Sequence, residues 1–234
     1  IITDRIGRKN ALIVAAASLT LSAIGSMLPP QFLGNLEQAY WLTSSESFSF
    51  TFLIIFRVIG GIGVGITSVV APIYISELIQ PEKRGKFVSI YQLSITLGIL
   101  LAFLVDWIVL SNAGDRAGVV TGEASGFFNW LFVSEIWRGM FGTEIPIASL
   151  FLILLFFSPK SPRWLVAQDR KTEALIIMER LSGKEQAKVQ MTEINEMVQE
   201  EKGGFKELLK PFMRTPLLIG IFLPMFSHLS GIAA

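Results

Sequence analysis

Two ionisable side chains stand alone inside long apolar runs, and any chemistry in this chain starts from them. Arg57 is the one charge in residues 47–76, and Glu144 is the one charge in residues 139–159. An arginine near the centre of a membrane helix costs roughly 2.5 to 3.5 kcal/mol on insertion scales, so it faces the protein interior or a watery cavity and has a partner. Both residues lie about five to ten positions into runs entered from the same side, and at a rise of ~1.5 Å per residue they reach similar depths. A pair is therefore expected. A nearby guanidinium lowers the proton affinity of a carboxylate and burial raises it, so an arginine that moves between partners switches protonation with conformation. A static salt bridge that specifies helix packing is the plainer reading of the same two residues. Gly61 and Gly65 follow Arg57 at i+4 and i+8, which puts small residues on the arginine's own face and suggests close helix packing there.

Polar groups inside the other runs are sparse. Gln92 sits mid-way along the uncharged window 87–105, and an amide both donates and accepts, as recognition of a hydroxyl-rich ligand requires. A buried glutamine equally joins two helices. His228 is the one histidine of the chain; it can bond a hydroxyl, titrate near neutral pH or simply pack. No second ligand accompanies it, so no metal site is expected, and neither a nucleophile–base pattern nor paired inward carboxylates point to an enzyme or a cofactor.

The elements that must hold these residues follow from composition. Hydrophobic residues make up 51% and charged residues 17% of the 234, and the mean hydropathy is positive, outside the soluble range. Five windows (11–28, 47–76, 87–105, 139–159 and 215–234) are long and apolar enough to cross a bilayer, and each must be helical because lipid offers the backbone no partner. The expectation is an all-α, multi-pass protein of the cell membrane, with the lipid bilayer as its surroundings.

Of the 20 Lys and Arg, 17 lie before the first window, between the second and third, or between the fourth and fifth. By the positive-inside rule these segments are cytoplasmic, and the connections 29–46 and 106–138 face out. The basic residues are accounted for by topology and a net charge of +1, so no nucleic-acid partner is expected. There is no cysteine and hence no disulfide framework. The chain starts at Ile1 and stops at Ala234 inside an apolar run, which reads as a piece of a longer protein. Residues 161–211 interleave charges with Leu175, Met178, Leu181, Ile194 and Met197 at helical spacing. They predict two or three surface helices, with Pro162 at a helix start and breaks at Gly183 and Gly203-Gly204.

Several short motifs resemble those of one family. Asp4-Arg5-x-Gly7-Arg8-Lys9, the stretch from Arg57 to Gly65, Pro72 to Gly85, Ser158-Pro159-Lys160-Ser161-Pro162-Arg163-Trp164-Leu165 and Leu229-Ser230-Gly231-Ile232 are similar, in order and in position relative to the windows, to signatures of the sugar porter family of the major facilitator superfamily. The likeness is closest to its bacterial xylose–proton symporting members and covers essentially the whole chain. It implies twelve helices in two halves with the sugar between them. Here that means a fragment of the fold holding about helices three to seven plus cytoplasmic helices: residues 1–160 as part of the N-terminal half, 161–211 as a cytoplasmic linker, and 212–234 as the first helix of the C-terminal half.

The resemblance also implies roles. Arg57 and Glu144 would couple protons to movement of a monosaccharide, pentose or hexose, together with an aspartate of the first helix, a position not in this chain. Gln92 would bind sugar, with Ser227 and His228 standing where the family has two adjacent glutamines; Ile99 and Ala233 replace further polar positions, which leaves the identity of the sugar open. Arg5, Arg8, Glu77, Arg84 and Arg163 would form the cytoplasmic salt bridges that hold the two halves together when the transporter faces out. Lys160 stands where the family usually has glutamate. Facilitated uniport without protons, or a sugar sensor that does not transport, are the alternatives.

Overall fold

The computed structural model describes residues 6–28, 45–117, 136–200 and 214–229. All elements among them are helices: α1 (Arg8–Met27), α2 (Ser45–Leu78), α3 (Pro81–Ala117), α4 (Ile136–Gly142), α5 (Glu144–Phe157), α6 (Pro162–Ala167), α7 (Lys171–Ser182), α8 (Lys184–Glu200) and α9 (Arg214–Leu229). Four segments are long and apolar enough to cross a membrane, namely Arg8–Met27, Thr51–Leu78, Glu82–Asn112 and Ile136–Phe157. They coincide with the first four windows read from the sequence. The fifth begins as α9, and its continuation, with Ser230 to Ala234, lies outside the described residues.

Helix α1 packs against both α2 and α5, while α3 touches α2 and α4 only lightly. Ala11, Leu12 and Ala16 of α1, Val70 and Tyr74 of α2 and Leu155 of α5 form a buried cluster where these three helices meet. Small residues let α1 and α2 approach. A Cβ on Gly63 would lie 2.9 Å from the Ala15 carbonyl oxygen, and one on Gly60 would collide with Ser22. The sequence expectation of close packing at Gly61 and Gly65 is not met among the described residues, where neither has anything within 4 Å of the place a Cβ would take. The glycines of α2 that meet α1 are Gly60 and Gly63.

The helix ends have local causes. Pro81 starts α3, the first-turn position where a missing N–H costs nothing. The fourth window is two helices and not one, joined at Thr143, whose N–H reaches Gly139 and Met140 carbonyls at 3.2 Å. Pro146 can give no N–H to the Gly142 carbonyl and its ring crowds that group, so the ladder breaks there. Helix α3 also runs to Ala117, well into what reads as loop from residue 106 on. Its polar end stays helical with Ser111 and Asn112 side chains bonded to the Ile108 carbonyl at 3.1 and 2.8 Å. Hydropathy marks where lipid ends, whereas a helix in water can continue.

Helices α6, α7 and α8 form a separate small core of Leu165, Val166, Ala174, Met178 and Ala187. Ser161 caps α6 by accepting from the Trp164 N–H at 3.2 Å, with Pro162 at the first helical position. Gly183 (φ +82°) divides α7 from α8, as its place in the sequence suggests. Leu181 stays 49% exposed despite its helical spacing, and Gly203-Gly204 lies outside the described residues.

Candidate functional site

Arg57 projects from α2 into a cleft of about 640 Å³ bounded by Leu19 and Ser22 of α1, Gly60, Gly61, Val64 and Thr67 of α2, and Ile147, Ala148 and Phe151 of α5. Glu144, the first residue of α5, lines the same cleft, and Arg57 Nη1 lies 3.7 Å from its Oε1. The guanidinium also sits over the Phe141 ring at 4.2 Å from its centroid. Two attractions of different kind act on Arg57 at once. The aromatic face holds the cation whether or not the carboxylate is charged, and the carboxylate adds attraction only while ionised. Both side chains are half exposed, 47% and 49%. Glycine at position 61 keeps the wall beside the arginine low.

Gln92 lies on α3 with its side chain exposed and does not line this cleft. The backbone of Ser227 and His228 belongs to the last turn of α9; their side chains lie outside the described part of the structure, and Ala233 lies outside the described residues. The structure therefore brings Arg57 and Glu144 together, and Gln92 stands apart from them.

A second constellation closes the opposite end of the bundle, where α1 begins and α2 and α5 end. Glu77, 5% exposed, receives Arg8 Nε at 3.1 Å on one oxygen and Ser161 Oγ at 2.5 Å on the other. Tyr74 bonds the Ser158 hydroxyl at 2.5 Å and donates to the Pro159 carbonyl. Lys9 Nζ donates to the Phe156 carbonyl at 2.8 Å, satisfying the end of α5. Gly7, at φ +93°, lets the Trp164 indole lie against the backbone, where a Cβ would be 3.1 Å from the ring. Arg84 does not join the Glu77 carboxylate; its Nε donates to the Ile79 carbonyl at 3.3 Å, beside a small cavity it shares with Glu77. Arg163 is the second residue of α6, and Arg5 lies outside the described residues. Lys160 lies 4.0 Å from Glu173, which is also bound by Arg170.

The whole chain, residues 1–234, matches the family model described as "Sugar (and other) transporter". The chain belongs to the sugar transporter family. An arabinose–proton symporter of Bacillus subtilis is 32% identical over 100% of this chain and 44% of the relative, and a glucose transport protein of Synechocystis is 38% identical over 78% of this chain and 33% of the relative. A solved major facilitator proton:xylose symporter bound to 6-bromo-6-deoxy-D-glucose superposes with a TM-score of 0.70 at 32% identity, covering 88% of this chain and 41% of that one. The chain thus spans less than half the length of these relatives, and its fold is that of part of a major facilitator protein in the cell membrane.

In this transporter chain, several contacts were not readable from sequence. Phe141 carries no mark that distinguishes it from the other 17 phenylalanines. Ser161 did carry a signal, since serine before Pro162 reads as a cap, but its bond to Glu77 needs α2 and α6 to meet.

Proposed function

We propose that the full-length parent carries a monosaccharide across the cell membrane coupled to protons, and that Arg57 and Glu144 form part of the proton-linked site. The observation that carries this reading is the pair at 3.7 Å in one shared cleft of a sugar transporter family chain. In the mechanism, protonation of Glu144 removes its attraction for Arg57. The guanidinium stays on Phe141 or moves to another anion, and the energetic balance between conformations shifts with it. Relatives named for arabinose, glucose and xylose support a pentose or hexose substrate.

Within that reading, residues 1–160 are part of the N-terminal half, 161–211 the cytoplasmic linker and 212–234 the first helix of the C-terminal half. Gln92, Ser227 and His228 are the sugar contacts of this portion. Arg8 and Glu77, with Arg5, Arg84 and Arg163, are the cytoplasmic gating set. The Arg8–Glu77 pair is nearly buried, and a pair made in one conformation and broken in the other biases a two-state equilibrium.

The test is made on the full-length parent in proteoliposomes, following external pH as arabinose, xylose and glucose are added in turn. Alkalinisation with one of them is expected, and Glu144→Gln should abolish it while sparing sugar exchange. Uptake of labelled sugar with no pH change would make the protein a uniporter, and no uptake of any of them would leave a sensor.

A further inference from the structure

Helix α1 ends at a place where its own backbone cannot finish the job. The last carbonyls of a helix need donors from outside it, and the two residues after Leu28 are Pro29 and Pro30, neither of which has an N–H. Arg138, on α4, supplies one: its Nη1 donates to the Leu28 carbonyl at 3.1 Å. The residue is 5% exposed, its guanidinium lies 4.1 Å from the Trp137 ring centroid, and it brings a positive charge to the negative end of the α1 dipole. One helical turn on, Gly142 rests on Met27, where a Cβ would be 3.0 Å from the Met27 sulfur. Two successive turns of α4 are thus seated on the last two residues of this end of α1.

That seat carries the Arg57 partners. Phe141 is three residues after Arg138 and Glu144 six, across the single-residue joint at Thr143. A short helix held near its start and at its end sets both positions at once. We propose that Arg138 is a positioning residue: by locking α4 to the end of α1 it sets where Phe141 and Glu144 meet Arg57. The inference rests on the reading of Arg57 and Glu144 as the proton-linked pair.

The experiment uses the full-length parent in a background without other cysteines; residues 1–234 contain none. Spin labels on Val69→Cys of α2 and Leu150→Cys of α5, both exposed, report the separation of the two helices, and reconstituted protein reports sugar exchange and proton-driven accumulation. With Arg138→Met the label distance should shift or broaden, and accumulation should fall by roughly tenfold, within the usual range of site-to-site coupling, while exchange stays near that of the parent. Arg138→Lys keeps a charged donor without the planar stack and should restore most of both. If the methionine variant does not insert, Arg138→Gln makes the same comparison.

An unchanged label distance in the uncharged variants overturns the proposal. So does a parallel loss of exchange and accumulation that lysine does not rescue, which would mark general support of the fold. Should the parent itself move sugar without protons while the distance still shifts in Arg138→Met, the positioning stands and the proton reading falls.

Discussion

Ser161 donates to Glu77 at 2.5 Å across 84 residues of sequence, joining the end of the second spanning helix to the cap of the first helix beyond the bundle. Ser161 also caps α6 with the same oxygen, and Glu77 also holds Arg8. One carboxylate therefore ties α1, α2 and α6 together at a nearly buried point.

Removing Glu77 should cost more than removing either partner. Glu77→Ala takes one bond from Arg8 and one from Ser161 at once, and breaking a buried pair in this way costs on the order of 3 kcal/mol. Ser161→Ala loses a cap and one bond to a charged group, about 1 to 2 kcal/mol. Thermal unfolding of the purified parent in detergent reads both; equal losses for Arg8→Ala and Glu77→Ala would show that the serine bond contributes nothing.

Gly63→Ala and Gly61→Ala should part company in the same assay. At position 63 the new methyl meets a backbone oxygen that cannot swing away, so overpacking of about 1 to 3 kcal/mol is expected. At position 61 nothing among the described residues lies within reach, and the change should stay within about 0.5 kcal/mol. A destabilised Gly61 variant beside an undisturbed Gly63 variant would mean α1 packs on the other face of α2.

Gly7→Ala asks a residue with a Cβ to hold a φ of +93° against the Trp164 ring. A loss of about 1 to 2 kcal/mol is expected, from the backbone and the ring displacement together. A shift in tryptophan emission measured against a Trp164→Phe control should accompany it, and unchanged emission with unchanged stability would count against the contact.

Lys160→Glu sets two carboxylates near each other, because Glu173 lies 4.0 Å from the lysine. Both groups are largely exposed, so the stability change should remain below about 1 kcal/mol. In the full-length parent the same change removes a positive charge next to the basic cytoplasmic cluster, and spin-label distances should move toward the outward-facing state. Glu173→Lys in the double variant should relieve the local repulsion while leaving that shift, and no shift in either variant would reject a gating effect of residue 160.

Much of this molecule is written along one dimension. Lipid demands apolar helices of a certain length, so the windows around residues 11–28, 47–76, 87–105 and 139–159 mark spanning helices without any knowledge of neighbours. Depth is also a one-dimensional quantity, and counting residues from the window ends suffices to put Arg57 and Glu144 at one level. Pro162 and Gly183 act through their own backbone, so the boundaries they set can be read in place.

What only the tertiary structure decided is rotation and contact. Whether Gly61 or Gly60 faces α1 is a turn of about 100° around the α2 axis, and apolar residues surround that helix on every side, so no stripe reveals the answer. The seating of Arg138 on the end of α1, the ring of Phe141 beneath Arg57 and the shared carboxylate of Glu77 all join residues far apart in the chain. Periodicity and charge limit which helices form and how deep each group lies; which faces touch is settled by close packing of several helices at once, a property no single segment carries.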